Sequence, residues 1–220
     1  MNKKAVIFGT GSFAEVAHFY LSHDSDYNVV AFTASRNSIT KNSLFDLPVV
    51  PFEDVENIYS PDGHDMFIAI GYRDRNKIRE TFYRQAKNKN FKLLSYVSSR
   101  ATTWPGLSIG DNCFIFEDNT IQPFVKIGNN VVLWSGNHIG HHSAIDDHCF
   151  ITSQVVISGL CHIKEYSFLG VNATIRDGIT IEKDNVIGAG ALILKSTKEH
   201  EVYPGNRSRS LPNSSTIKLD

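Results

Sequence analysis

The sequence predicts a Rossmann-like α/β domain followed by a parallel β-helix of hexapeptide repeats with about five coils. Two observations predict this fold. In the first hundred residues, apolar strand-like runs alternate with helical segments, and from Ile109 onward an aliphatic residue returns at every sixth position. We expect the α/β domain over 1–98, the β-helix over 99–195 and a C-terminal tail over 196–220.

The composition limits the classes of function. A chain with 22 basic and 23 acidic residues has a formal net charge of -1, so no overall positive field can hold nucleic acid or an anionic membrane. No apolar run reaches the roughly 18 residues of a membrane span, and the opening apolar run is too short for a signal sequence. We therefore expect a cytoplasmic protein with no membrane span and no nucleic-acid partner.

The N-terminal hundred residues predict a small parallel sheet of four or five strands flanked by helices. The evidence is the switch between continuous apolar runs and helical spacing of apolar residues. The predicted segments are strands over 5–9, 28–34, 66–71 and 92–97 and helices over 13–21 and 76–87.

The first strand-to-helix turn has a G-x-G-x-x-A pattern, in which backbone amides at the helix start can hold phosphate. The second strand ends without the acidic residue that a dinucleotide site uses for the ribose, which disfavours NAD and favours a sugar nucleotide. Glycines that only permit tight turns are the alternative. The predicted substrate-binding residues are Gly11, Ser12 and Phe13 at the turn and Thr33, Arg36 and Gly71 at strand ends.

The six-residue repeat predicts short strands separated by turns, with one large and one small residue pointing inward in each unit. The large positions run without a break from Ile109 to Ile193, and the series ends between Thr103 and Glu199. Three units make one coil, so residues 18 apart stack about 4.8 Å from each other. Asn119 and Asn137 are related in this way, which predicts a buried amide ladder. The small positions include Val125, Val131, Ser143, Val155, Ser167, Ala173 and Ala191.

All three cysteines, Cys113, Cys149 and Cys161, fall in the small inward register. Their spacing matches no zinc pattern, and a chain of this size needs no disulfide. We therefore predict three free, buried thiols and no metal site.

The combination of these features resembles the bacterial sugar acetyltransferases of the sialic acid O-acetyltransferase family, which includes N-acetyltransferases of nucleotide-linked amino sugars. The most specific stretches are 137–143, 157–159, 168–174 and 186–191. The resemblance implies a left-handed β-helix, acetyl-CoA as co-substrate and a homotrimer with each active site between neighbouring β-helices. It also implies a place in surface polysaccharide synthesis, such as that of lipopolysaccharide.

The resemblance assigns the general base to His141. The residue lies two positions after the inward Ile139, at an outward corner, and imidazole can accept a proton near neutral pH. Coincidence is the alternative, because His138, His142 and His148 crowd the same coil.

Gly159 follows His141 by 18 residues and so stacks beside it, where its N–H can stabilise an oxyanion. The resemblance assigns the same function, and a glycine that only relieves strain is the alternative. The residues expected to contact acetyl-CoA are Gly159, Val171, Gly188, Ala189, Gly190 and Arg209.

Two features depart from the family pattern. His142 stands where the best-known members carry a glutamate, so either His142 orients His141 or Asp146 or Asp147 replaces that carboxylate. In the tail, Arg207 and Arg209 are either contacts for CoA phosphates or solvated charges.

We predict an N-acetyltransferase that moves an acetyl group from acetyl-CoA directly to a nucleotide-linked amino sugar. One alternative is an O-acetyltransferase on a sugar hydroxyl, as in the sialic acid type. Another is a γ-type zinc hydratase, although the spacing of His138, His142 and His148 does not match the ligand pattern expected for it. A non-catalytic scaffold is a third. The sequence leaves open the nucleotide base, the sugar, the choice between amine and hydroxyl, and the acyl group.

Overall fold

The computed structural model describes residues 3–205 and 208. The N-terminal part is a five-stranded sheet with the order β3-β4-β2-β1-β5, in which β3 and β4 pair antiparallel and the other neighbours pair parallel. Its strands are β1 (Lys3–Phe8), β2 (Tyr27–Ala34), β3 (Ser43–Leu44), β4 (Leu47–Pro51) and β5 (Asp65–Ile68). The helices are α1 (Ser12–His23), α2 (Val55–Ile58) and α3 (Lys77–Asn88), with 3-10 turns at Arg36–Ser38 and Phe52–Asp54.

Two expectations for this sheet are wrong in part. The predicted strand over 92–97 does not join it as a strand: Leu93 forms one bridge to Met66, and Tyr96–Val97 belongs to the β-helix. The edge strands β3 and β4 were not predicted. Leu47–Pro51 carries prolines at both its second and last positions, and proline is confined to edge strands because it cannot donate to the ladder.

From Tyr96 onward the chain forms a left-handed parallel β-helix with three faces, as predicted. The first face holds β7 (Ser108–Ile109), β10 (Lys126–Ile127), β13 (Ala144–Ile145), β16 (His162–Ile163) and β19 (Thr180–Ile181). The second face holds β6 (Tyr96–Val97), β8 (Phe114–Ile115), β11 (Val132–Leu133), β14 (Phe150–Ile151), β17 (Phe168–Leu169), β20 (Val186–Ile187) and β22 (Val202–Tyr203). The third face holds β9 (Thr120–Ile121), β12 (His138–Ile139), β15 (Val156–Ile157), β18 (Thr174–Ile175) and β21 (Leu192–Ile193).

Three corners join these faces, and each stacks residues 18 apart in the chain. The first corner, between the first and second faces, includes 128–130 and 146–148. The second corner, between the second and third faces, includes 170–172 and 188–190. The third corner, between the third and first faces, includes 122–124, 140–142 and 158–160.

The interior of the β-helix confirms both predicted registers. The large aliphatic residues from Ile115 to Ile193 are buried, and Ile109 at the open end is half-buried. The three cysteines are free and buried in the small register. The amide ladder is also present, since Asn137 Nδ2 donates to Asn119 Oδ1 at 3.0 Å.

The second face is one strand longer at each end than the period of six predicted. Val97 lies 18 residues before Ile115 and pairs with it, although Thr103 interrupts the aliphatic series between them. Tyr203 pairs with Ile187 from 16 residues away, so it escapes an 18-residue rule. The division of the chain at position 98 stays a prediction.

The α/β domain covers the second face of the β-helix. Phe114, Val132 and Phe150 point outward from that face and are nevertheless buried, because they belong to the core that includes α1 and β1. Tyr20 of α1 donates its hydroxyl to Glu117 at 2.7 Å across the same junction. In the described part of the chain, none of the helices is both long enough and apolar enough to span a membrane.

Candidate active site

His141 lies at the third corner of the β-helix with an exposed imidazole. Its backbone is fixed on both sides, because its N–H donates to Gln122 Oε1 at 2.8 Å and its carbonyl accepts from the N–H of Leu160 at 2.9 Å. The corner therefore holds the backbone of this histidine while leaving its ring accessible to solvent.

Gly159 lies directly beside the His141 ring, as the 18-residue step predicts. A Cβ at this glycine would stand 2.8 Å from His141 Nε2 and 2.9 Å from Cε1, so a side chain here would displace the imidazole. Within residues 3–205 and 208, the N–H of Gly159 donates to no acceptor. A ring nitrogen and an unused amide donor thus lie next to each other on the surface.

His142 is the group that contacts the other ring nitrogen of His141. The two Nδ1 atoms are 3.1 Å apart, so one ring donates to the other. Asp146 instead binds His162 Nε2 at 2.8 Å, and Asp147 accepts from the backbone and side chain of Asn129. Of the candidates for a partner of His141, the geometry therefore favours His142.

The other two histidines of this coil lie apart from the His141–His142 pair. His148 is buried at the first corner against Asn130, and His138 is half-buried on the third face. In the described residues, no group of three or more histidine, cysteine, aspartate or glutamate side chains is arranged to hold a metal ion.

The residues expected to contact acetyl-CoA divide between two corners. Val171 and Ala189 are exposed and stack at the second corner, where the N–H of Gly190 donates to the carbonyl of Val171 at 2.8 Å. Gly188 lies close to Gly205, since a Cβ on Gly188 would be 2.8 Å from the Gly205 nitrogen. Gly159 is at the third corner, so one chain does not bring the whole set together. Arg207 and Arg209 lie outside the described residues.

The glycine-rich turn has the geometry of an anion site. Gly9 has φ +123°, and a Cβ there would be 2.8 Å from the carbonyl oxygen of Ala69, so only glycine fits. Gly11 caps α1, and no acceptor among the described residues binds the N–H groups of Ser12 and Phe13. A cavity of about 180 Å³ adjoins the turn and includes Lys41 in its lining. The ring of Phe13 packs instead against Trp134 of the β-helix, at 6.0 Å.

Three substrate residues expected at strand ends are placed differently from one another. Thr33 is fully buried and donates its hydroxyl to the carbonyl of Val50, so its prediction as a ligand contact is wrong. Arg36 is exposed, but its guanidinium binds Asp54 at 2.6 Å and its N–H donates to Glu53, so its positive charge is already compensated. Gly71 is half-buried with open space beside it.

Sequence reasoning missed two neighbours of the histidine pair. Gln122 accepts the N–H of His141, and the ring of Phe124 packs on His142 with 4.6 Å between centroids. The 18-residue step that identified Gly159 also places Pro123 and Phe124 beneath His141 and His142, so the same signal read toward the N-terminus would have found them.

Two family models match the chain. Residues 4–86 match the PglD N-terminal domain, and residues 93–202 match the GMPPB C-terminal domain. Among curated proteins, gamma carbonic anhydrase 1 of Arabidopsis thaliana is 32% identical over 117 residues, covering 48% of this chain and 42% of that protein. The acyl-[acyl-carrier-protein]–UDP-N-acetylglucosamine O-acyltransferase of Pseudomonas aeruginosa is 26% identical over 107 residues, covering 46% and 42%. The chain thus spans less than half the length of these relatives.

Solved structures match over nearly the whole chain. The acetyltransferase domain of PglB from Neisseria gonorrhoeae has a TM-score of 0.82 and 24% identity, covering 96% of this chain and 100% of that one. A mutant of perosamine N-acetyltransferase from Caulobacter crescentus, in complex with CoA and GDP-perosamine, has a TM-score of 0.81 and 22% identity, covering 92% and 93%. These likenesses establish the fold, and the predicted resemblance to hexapeptide-repeat sugar acetyltransferases is confirmed. Because the second family model covers half of the chain, the protein belongs to the GMPPB C-terminal domain family, with a PglD N-terminal domain in front of its β-helix.

Proposed function

We propose that this protein transfers an acetyl group from acetyl-CoA to the amine of a nucleotide-linked amino sugar. The observation that carries the proposal is the arrangement of His141 and Gly159, in which an exposed ring nitrogen adjoins an unused backbone N–H. A base and an oxyanion donor side by side are what attack on a thioester requires. The solved perosamine N-acetyltransferase, which contains CoA and GDP-perosamine, supports the choice of substrates.

The reaction is a direct transfer. If His141 Nδ1–H donates to His142, Nε2 keeps its lone pair and takes a proton from the attacking amine. The amine nitrogen forms a bond to the thioester carbon, and the N–H of Gly159 stabilises the negative charge on the carbonyl oxygen. The C–S bond then breaks, and His141 returns the proton to the departing CoA thiolate.

The cysteines do not act as acyl carriers in this proposal. Burial raises the pKa of the Cys113 thiol to about 12, and it also raises the pKa values of Cys149 and Cys161. A thiol that is buried and protonated is a poor nucleophile. An acetyl-enzyme intermediate on cysteine is therefore not part of the mechanism.

A homotrimer would unite the two halves of the site. His141 and Gly159 lie at the third corner and Val171 and Ala189 at the second, at opposite edges of the third face. That face exposes Val156 and Leu192, which are apolar residues suited to a subunit contact. Three copies with this face toward a common axis bring the third corner of one subunit to the second corner of the next.

The nucleotide diphosphate is assigned to the start of α1. The N–H groups of Ser12 and Phe13 point from the first turn of this 12-residue helix, and Lys41 supplies a positive charge beside the adjoining cavity. This assignment keeps Gly11, Ser12 and Phe13 through their backbone, and it omits Thr33.

The test replaces His141 by Asn and compares two measurements. We expect acetyl transfer to fall by at least about 10²-fold, whereas acetyl-CoA binding by calorimetry stays within about twofold of the unmodified protein. Acceptors are identified first by a thermal-shift panel of UDP-, GDP- and dTDP-linked amino sugars, with and without acetyl-CoA. Full activity of H141N would sink the assignment of the base, and stabilisation by none of the nucleotide sugars would favour O-acetylation of a free sugar.

Zinc-dependent hydration is the second candidate, because two γ carbonic anhydrases of Arabidopsis thaliana match the β-helix at 32% and 33% identity. Elemental analysis of the purified protein separates the two functions. Stoichiometric zinc together with CO₂ hydration would support the hydratase, whereas acetyl transfer that persists after treatment with a chelator would support the acetyltransferase.

A further inference from the structure

An aromatic groove opens at the third corner next to the His141–His142 pair. Its walls are Trp104, Pro105, Gly106 and Leu107 from one coil and Ile121, Gln122, Pro123, Phe124 and Val125 from the next. Trp104 is 58% exposed and Phe124 is 71% exposed, which is unusual for rings that fill no core. The cavity measures about 230 Å³.

The groove is continuous with the reaction centre. Gln122 of the groove accepts the N–H of His141 at 2.8 Å, and Phe124 packs on the ring of His142. A ligand in the groove would therefore lie against the groups that hold the proposed base.

The direction of the groove from His141 indicates the acceptor. Gly159, the proposed oxyanion donor, stacks on His141 from the C-terminal side, so the thioester carbonyl occupies that side. The groove residues 104–107 and 121–125 lie on the N-terminal side of the same corner. Because the nucleophile must reach the carbonyl past the base, the acceptor enters from the side that the donor leaves free.

The chemistry of the walls indicates a neutral, ring-shaped ligand. None of the nine lining residues carries a charge, so the groove does not suit the phosphates of CoA or of the nucleotide. Its volume is below the roughly 300 Å³ where sites for drug-sized ligands begin, and it is suited to one sugar ring. Two aromatic faces bind the C–H groups of such a ring, and the amide NH2 of Gln122, which has no acceptor within the described residues, can donate to a hydroxyl.

We propose that this groove binds the pyranose ring of the acceptor, with Trp104 and Phe124 as stacking platforms and Gln122 as a donor. The proposal rests on the proposed acetyl transfer, and it adds the residues that recognise the sugar separately from its nucleotide. It predicts that part of the acceptor affinity belongs to the sugar ring and is lost with the two aromatic side chains.

The first experiment is steady-state kinetics on Trp104→Ala and Phe124→Ala, with UDP- and GDP-linked 4-amino-4,6-dideoxyhexoses as acceptors. We expect the KM for the acceptor to rise about tenfold in each variant, while the KM for acetyl-CoA stays unchanged. Trp104→Phe keeps an aromatic face and should recover most of the affinity. Leu160→Ala is the matched control, because Leu160 is 60% exposed at the same corner on the other side of His142.

The second experiment measures sugar binding without catalysis. The chain has two tryptophans, so Trp134→Phe leaves Trp104 as the only indole reporter. The methyl glycoside of the amino sugar, which has no nucleotide, should then change the fluorescence of Trp104 with saturation. This readout distinguishes the two proposals, because it does not require acetyl transfer.

Three outcomes would overturn the groove assignment. Active enzyme with an unchanged acceptor KM in W104A and no fluorescence response would leave the acetyltransferase standing and remove the sugar subsite. A drop of W104A to monomers in sedimentation would make the groove a contact between subunits. A changed preference between acetyl-CoA and butyryl-CoA with an unchanged acceptor KM would assign the groove to the acyl chain.

Discussion

The contact between Gly159 and His141 depends on a missing side chain. The nearest atoms to an added Cβ belong to the imidazole, at 2.8 to 3.3 Å, and Gly159 itself does not have the positive φ that strains other residues. A methyl group here would move the ring more than the backbone. Gly159 therefore matters for where the base stands, in addition to its N–H.

Replacing Gly159 by Ala should lower kcat by about 10²-fold, since a displacement of roughly 1 Å in a catalytic group has an effect of that size. The melting temperature should change little, because the displaced ring is exposed. The measurement is kcat with saturating substrates together with thermal unfolding. Gly63→Ala is the control, since it adds a methyl group at a loop glycine whose nearest neighbour would be 4.0 Å away. Equal activity of the two variants would contradict the positioning argument.

The three thiols give a second prediction at this scale. Cys113, Cys149 and Cys161 are buried, and burial raises their pKa values, so the folded protein should contain almost no thiolate at pH 8. We expect a disulfide reagent such as DTNB to titrate no thiol in the native protein and three in guanidinium chloride. Rapid modification of one thiol in the native protein, with loss of activity, would reopen an acyl-cysteine route.

At the level of elements, a buried polar ladder joins the α/β domain to the β-helix. Ile68 of β5 donates its N–H to Asn112, Asn112 donates to Asn130 Oδ1 at 2.7 Å, and Asn130 Nδ2 lies 2.9 Å from His148 Nδ1. Arg79 of α3 also donates to Asn130 Oδ1, at 3.1 Å. Because this oxygen receives two donors, the Asn130 amide has a fixed orientation and His148 Nδ1 must accept.

This ladder makes the junction sensitive to acid. His148 is 4% exposed, and burial lowers the pKa of its imidazole below the ordinary 6.5 although the nearby Glu80 acts in the opposite direction. As the pH falls below 6.5, the unfolded chain binds a proton at this side chain while the folded chain does not. The free energy of unfolding therefore decreases with falling pH, and this decrease ends below the lowered pKa of the folded state.

Replacing His148 by Gln should make the melting temperature less dependent on pH between 7 and 5. The unmodified protein should lose up to about 1.4 kcal/mol per pH unit from this residue in the window below 6.5. The variant is expected to be less stable at pH 7.5, because it loses the packing of the imidazole on Tyr166. The slope is therefore the decisive quantity. His64→Gln, in a loop away from the junction, should keep the original slope, and identical slopes in H148Q and H64Q would refute the argument.

At the level of the whole molecule, the proposed site needs two copies of the chain. Coexpression of two inactive variants tests this directly. His141→Asn removes the base at the third corner, and Ala189→Trp blocks the second corner, where Ala189 is exposed. Random mixed trimers should recover about one active site in four, because each complete site takes an intact third corner from one subunit and an intact second corner from its neighbour.

Each homogeneous variant should stay inactive, and tandem affinity purification on two different tags isolates the mixed trimers. If mixed trimers were no more active than the separate variants, both halves of the site would have to belong to one chain, and the proposed trimer geometry would be wrong.

Much of the fold follows from local sequence periodicity. A period of six requires a short strand and a turn in every unit, so the inward positions of Ile139 and Ile157 and the stacking of His141 on Gly159 can be counted directly. The edge strand at Leu47–Pro51 and the end strand at Val202–Tyr203 have no such period. They form because a neighbouring strand offers free hydrogen-bonding groups, which no local pattern records.

The sequence by itself therefore determined the β-helix, its buried cysteines and the pairing of a histidine with a glycine at one corner, because each depends on counting residues along the chain. Only the tertiary structure decided what meets across the domain junction and around the corners. It buried Thr33 behind β4, paired Arg36 with Asp54, and selected His142 over Asp146 as the partner of His141. It also separated Val171 from Gly159. The physical reason is that side-chain contacts depend on distances between elements, and these distances are set by how the sheet packs on the β-helix.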